Sequence, residues 1–196
     1  MEVYLVFTDT KTVLSRLIKS YTGQQFSHVS IAFDRELQEM YSFGRKDVRN
    51  AFIGGFVKED ASSPFFQRAN CAVYRLPVSR NAFARMRETI HNMEAREEHL
   101  KYNISGLFGI LLNRSFERED AYFCSHFVGE ILQDGGFYIS NKPIHLTMPR
   151  DLFVLPQLEF AYSGRLSNYQ YLKKETSFDG NSTTMNFLYE HRQRTF

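Results

Sequence analysis

Residues 121–132, Ala-Tyr-Phe-Cys-Ser-His-Phe-Val-Gly-Glu-Ile-Leu, constrain the fold more than any other stretch of this chain. Phe127, Val128, Ile131 and Leu132 recur at the helical period, so the segment predicts a helix that must bury one face against a core. Gly135-Gly136 marks its C-terminal end. The helix opens on Cys124, and the polar stretch 114–120 precedes it. The rest of the chain must therefore supply a core for this helix while leaving its first turn within reach of solvent.

That partner layer is legible as short strands. Residues 1–7 read as a first strand, and residues 27–34 and 37–43 as two more around the polar turn Asp34-Arg35-Glu36, a hairpin pattern. In the first arm of that hairpin His28, Ser30 and Ala32 alternate with Val29, Ile31 and Phe33. Residues 70–76 form a further strand pattern, and residues 159–169 look like a hairpin closed by Ser163-Gly164. The stretch 44–66, with Gly54-Gly55 and Pro64, reads as a long loop.

Helical spacing appears at 10–21, with apolar positions 13, 14, 17, 18 and 21 and Gly23 as a stop. Residues 79–98 begin with a capping Ser79 and set Phe83, Met86, Ile90 and Met93 on one face. Residues 103–112 predict a short apolar helix, and Pro149 starts another helical turn. The class is α+β, with helices segregated against a mainly antiparallel sheet. A chain of 196 residues suits one domain. We expect it to span 1–170, with 171–196 as a C-terminal tail, either mobile or packed through Phe187, Leu188 and Tyr189.

Composition narrows the functional class. Apolar residues make up 43%, with 19 Phe and no Trp, which describes a globular chain. A net charge of +2 is too small to argue for nucleic acid or an anionic membrane, and the basic runs at 44–49 and 191–194 read as solvated surface. The longest apolar run, 107–112, falls far short of the ~20 residues a membrane span needs. Residues 1–7 lack the basic start and small-residue cleavage site of an export signal. With two cysteines, the expectation is a cytoplasmic protein whose thiols are both free, Cys71 being a small core residue of its strand.

Cys124 and His28 carry the chemistry. A thiol at a helix N-terminus meets unpaired backbone N–H groups and the positive end of the helix dipole, both of which favour thiolate. An imidazole on an adjoining strand completes the activation of such a sulfur. Most cysteines are inert and buried; the weight here comes from the position at the helix start and from the apolar anchor behind it. Glu119 and Asp120 would oppose thiolate formation if they lay close. His126, two residues further on, points about 200° away and reads as a packing or capping residue. His91, His99, His145 and His191 show no companion pattern. No metal-ligand spacing occurs, so no metal and no cofactor is expected.

A His opening a strand, a hairpin partner strand with a polar residue, and a later Phe-Cys-Ser-x-Phe-Val helix start together resemble the circularly permuted NlpC-type papain-like hydrolases. That branch includes the YiiX-like bacterial proteins and the lecithin retinol acyltransferase group. In it the His strand precedes the Cys helix, as His28 precedes Cys124 here. Residues 101–107 also resemble its Tyr-containing lead into the Cys helix, and the resemblance covers roughly residues 2–155.

The resemblance implies a papain-like fold and a third polar residue, often Glu or His, that orients the imidazole from the strand after the His. The matching stretch 38–43 puts Ser42 at that place, with Tyr41 or Glu39 if the turn differs. Serine orients more weakly than a carboxylate. The backbone N–H of Cys124 and the hydroxyl of Tyr102 would stabilise an oxyanion, with Tyr41 beside the substrate. The implied function is a cysteine peptidase or amidase acting on a peptide, for instance one derived from cell wall, through an acyl-enzyme. The alternatives are an acyltransferase or esterase acting on lipid or thioester acyl groups at the same site, and a non-catalytic binding module of the same fold. The implied partner is a small peptide or acyl substrate.

Overall fold

The computed structural model describes residues 1–9, 25–45, 54–102 and 121–172. The expected helices at 10–21 and 103–112, Glu119, Asp120 and the tail from residue 173 lie outside them.

Eight strands are described: β1 (Glu2–Asp9), β2 (His28–Ala32), β3 (Met40–Arg45), β4 (Gly54–Glu59), β5 (Asn70–Pro77), β6 (Lys101–Tyr102), β7 (Ala121–Tyr122) and β8 (Glu159–Arg165). Six of them form one sheet in the order β4-β3-β2-β1-β5-β8, every neighbouring pair antiparallel. The helices are α1 (Pro64–Gln67), α2 (Arg80–Glu94), α3 (Cys124–Asp134) and α4 (Pro149–Phe153). The molecule is thus α+β, as its periodicities require. No helix of the described residues is long and apolar enough to cross a membrane.

Alternation along each strand sorts the side chains into two cores. Val3, Leu5 and Phe7 of β1, Val29 and Ile31 of β2, and Tyr41 and Phe43 of β3 face the helices, where Met86, Ile90 and Met93 of α2 and Phe127, Val128, Ile131 and Leu132 of α3 cover them. Tyr4, Val6, Ala32, Met40 and Val73 face a second, smaller core closed by Leu37, Phe66, Leu166 and Tyr169. The α2 prediction holds in detail: the Ser79 hydroxyl accepts from the Ala82 amide at 3.1 Å, although the helix stops at Glu94 rather than 98. The α3 helix ends where the double glycine predicts, with Gly136 at φ +90°.

The β2–β3 hairpin forms, with a longer turn than three residues. Asp34 accepts from the amides of Gln38 (2.9 Å) and Glu39 (2.6 Å), and Leu37 takes φ 59° to bury its side chain.

Two expectations are corrected. The stretch 44–66 is not simply a loop, because it contains β4, paired with β3 from Met40↔Glu59 to Arg45↔Gly54, and the short helix α1. Only Phe56 and Val57 in this run favour a strand, and pairing with β3 supplies the rest. Residues 159–169 are not a hairpin. Residues 159–165 form one strand along the edge of β5, and Gly164 takes φ +150° within it beneath the Tyr162 phenol.

Candidate functional site

Cys124 is the first residue of α3, after Phe123 in extended conformation (φ −124°, ψ 166°). Among the described residues no side chain caps this end and no acidic residue lies in its first turn. A missing cap costs about 1 kcal/mol. Burying Phe127, Val128, Ile131 and Leu132, each 0% exposed, returns on the order of 10 kcal/mol before entropy is counted. The apolar face therefore decides where the helix sits. Phe127 packs on Phe43 (5.4 Å between centroids) and Phe56 (5.8 Å), which fixes α3 over β3 and β4. On the approach, β7 pairs in parallel with β6, and Ser125 Oγ donates to the Thr147 carbonyl at 2.7 Å. The helix start is held on both sides.

His28 opens β2 opposite Thr8 of β1, and its side chain is 15% exposed. One ring nitrogen, Nε2, lies 2.9 Å from Glu59 Oε1. A carboxylate can only accept, so Nε2 carries the proton and donates. The ring also hydrogen-bonds the side chain of Cys124. Burial pushes the imidazole toward its neutral form, but the charge of Glu59 and the contact with Cys124 outweigh it. The net effect raises the pKa from 6.5 to about 10. At neutral pH the ring is an imidazolium lying between a carboxylate and a sulfur.

Glu59, at the end of β4, is the residue that sequence reasoning missed. Its side chain is 7% exposed. Ser42 Oγ donates to its Oε1 at 2.6 Å and Ser30 Oγ to its Oε2 at 2.5 Å. Ser30 Oγ also lies 3.3 Å from His28 Nε2. The available signal was the run Gly-Gly-Phe-Val-Lys-Glu, short but strand-like, ending in a carboxylate.

Ser42 was expected to orient the imidazole directly. It belongs to the site, yet its hydroxyl goes to Glu59, and the carboxylate meets the ring. Neither of the alternatives reaches it. Tyr41, expected beside the substrate, points to the helix-side core at 3% exposure and stacks on Phe56 (5.8 Å, 21°), because odd residues of β3 face the helices. Glu39 is on the surface, paired with Arg87 of α2 at 2.6 Å. Tyr102 contributes its backbone to β6; its side chain lies outside the described residues.

His126 stacks on Tyr122 (4.6 Å, 29°) and stands edge-on to His145 (6.5 Å). Burial, with the charge of His145 adding to it, pushes its ring down to about 4. It is a neutral packing residue. Cys71, 1% exposed, carries a thiol that burial pushes up to about 12, and both cysteines are free. Among the described residues no group of three or more His, Cys, Asp or Glu side chains is placed to hold a metal ion.

The chemistry open to this arrangement is that of a sulfur at a helix N-terminus beside a proton-holding imidazole, backed by a buried carboxylate. Comparison with known proteins finds no protein family, no characterised protein and no solved structure that matches this chain.

Proposed function

We propose that the chain is a cysteine hydrolase of the permuted papain-like kind, with Cys124 as nucleophile, His28 as proton carrier and Glu59 as the group that orients the ring. The observation that carries this reading is the single imidazole hydrogen-bonded to the sulfur of Cys124 and, through Nε2, to a buried carboxylate. A ring that holds its proton at neutral pH beside a sulfur is the ion-pair arrangement in which the sulfur attacks without a further base.

In the reaction, Sγ adds to the carbonyl carbon of an amide, and the oxyanion forms near the N–H groups at the start of α3. His28 gives its proton to the departing nitrogen, leaving a thioester on Cys124. Water then attacks the thioester as His28 takes up one of its protons, and collapse releases the acid and the thiolate. An amide of a small peptide is the leading substrate class. Ester or thioester acyl groups follow the same course, with an alcohol or thiol leaving. The binding-module alternative draws on serine as a weak orienter and on the lack of an export signal; the carboxylate of Glu59 beside the ring weakens the first of these. Two free thiols fit a reducing compartment such as the cytoplasm.

The test is iodoacetamide alkylation from pH 5 to 9, read by peptide mass spectrometry at both cysteines. Cys124 should react well below pH 8.5, the ordinary thiol value being about 8.5. His28→Ala should slow it at least tenfold, while Cys71 stays unlabelled in the folded protein. Screening amides and esters against wild type and Cys124→Ala then identifies the leaving group. A Cys124 that is inert, or indifferent to loss of His28, rules the reading out.

A further inference from the structure

Glu59 stands on β4 and His28 on β2, so the carboxylate reaches the ring across the intervening strand, β3. Gly44 of β3 leaves the crossing open. A Cβ there would lie 3.3 Å from Ser42 Oγ, 3.6 Å from Glu59 Oε1 and 3.7 Å from His28 Cε1. A long side chain extended across a neighbouring strand has three rotatable bonds and must be held at its far end if it is to keep one geometry.

Two hydroxyls hold it. Ser42 Oγ donates to Oε1, the same oxygen that accepts from His28, and Ser30 Oγ donates to Oε2. Both serines are 0% exposed, and they come from two different strands, β3 and β2. Their neighbours two residues away on the same face, Ala32 and Met40, are apolar and pack in the second core. Beyond these apolar neighbours the same face carries His28 and Glu59, and the two hydroxyls converge on that one carboxylate. Hydrogen bonds to an ionised acceptor are roughly twice as strong as neutral ones.

We propose that Ser30 and Ser42 are positioning residues: a two-hydroxyl clamp that holds Glu59 against His28 and so sets which ring nitrogen faces Cys124. The proposal rests on the reading of Cys124 and His28 as the working pair. With Ser30 gone, Oε2 is released and the carboxylate can turn about its last torsion, taking Oε1 off Nε2. With Ser42 gone, Oε1 keeps only the bond to His28. In both cases the imidazolium loses a fixed counter-charge, and the ring is free to rotate away from the sulfur. Ser30 Oγ, 3.3 Å from Nε2, also closes one side of the space the ring would turn through.

The variants Ser30→Ala, Ser42→Ala and the double change each remove oxygen and add no atom. Nitrogen-15 NMR of the labelled histidine rings gives the His28 titration midpoint in the folded protein. It distinguishes a lost clamp from lost structure, since an unfolded histidine titrates near about 6.5 without shift dispersion. Each single variant should lower the midpoint by about one unit, a tenfold loss of proton affinity. Each should also slow alkylation of Cys124 at pH 7 by roughly three- to tenfold, and the double variant should exceed either. His28→Ala, run alongside, separates the two ways of failing. If that change slows Cys124 but the double serine variant leaves both midpoint and rate as in wild type, the clamp is overturned and the Cys124–His28 pair stands. If His28→Ala has no effect on Cys124, the pair itself is absent and the clamp falls with it.

Discussion

Replacing Glu59 by Gln removes one charge from beside His28 at almost constant volume, and its main signature should be a change in how stability depends on pH. The folded ring holds its proton up to about pH 10, whereas an unfolded histidine releases it near 6.5. A raised value stabilises the fold fully below 6.5, and that contribution declines as pH rises toward 10. Within this window each unit is worth about 1.4 kcal/mol. Wild type should therefore lose about 2.5 kcal/mol between pH 7 and pH 9 from this one group. For a chain of this size that corresponds to a fall of roughly 5–10 °C in Tm. In Glu59→Gln both contributions of the carboxylate are gone and burial is opposed by less, so the ring titrates lower than in wild type and the share of the fall owed to His28 should shrink. Circular dichroism melts of both proteins at pH 7 and 9, at one ionic strength and with Cys124→Ser in each so that a thiolate there adds no opposing slope, make the comparison. Cys71, pushed up to about 12 by burial, also erodes stability as the unfolded thiol ionises. It does so equally in both proteins and cancels. Equal pH slopes in the two would refute the claim that the Glu59 carboxylate keeps the proton on His28.

Two further perturbations separate the site from the scaffold. Gly44→Ala places a methyl group 3.3 Å from Ser42 Oγ, so the hydroxyl must give by a few tenths of an ångström. Tm should fall by several degrees, since an extra methyl group in a packed interior costs about 1–3 kcal/mol, while Cys124 alkylation slows several-fold; unchanged alkylation would mean that the crossing of Glu59 tolerates a floor. Phe127→Ala empties a fully buried site between Phe43 and Phe56. It should cost about 3–5 kcal/mol and lower Tm by roughly 10 °C, measured by calorimetry; a loss under about 1 kcal/mol would show that α3 is not anchored through this ring.

Serine 42 illustrates how partial the sequence record of a site can be. Its hydroxyl does lie among these side chains, but the bond to the imidazole comes from Glu59, in a stretch that reads on sequence as a loop. Nothing local distinguishes Glu59 from the many surface carboxylates of this chain. It becomes distinct only because β4 pairs with β3 at Met40↔Glu59 and its side chain then crosses to His28. Ser30 is similar: on sequence it is one small residue of an alternating strand, and in the structure its hydroxyl grips the carboxylate.

What the sequence determines by itself is whatever depends on neighbours in the chain. The apolar stripe of α3, the Ser79 cap of α2, the terminal glycines at 135–136 and the alternation of His28, Ser30 and Ala32 against Val29, Ile31 and Phe33 follow from periods of 3.6 and 2 and from backbone stereochemistry. These suffice for the α+β class and for naming Cys124 and His28 as the pair around which the candidate site is built. The tertiary structure decided what depends on strand pairing. It turned residues 159–165 into an edge strand on β5 instead of a hairpin, raised 54–59 from loop to strand, buried Tyr41 and brought the carboxylate of β4 to a ring on β2. Pairing energy comes from partners tens of residues away, and a short run such as Phe-Val-Lys-Glu acquires its conformation, and its role, only when that partner is in place.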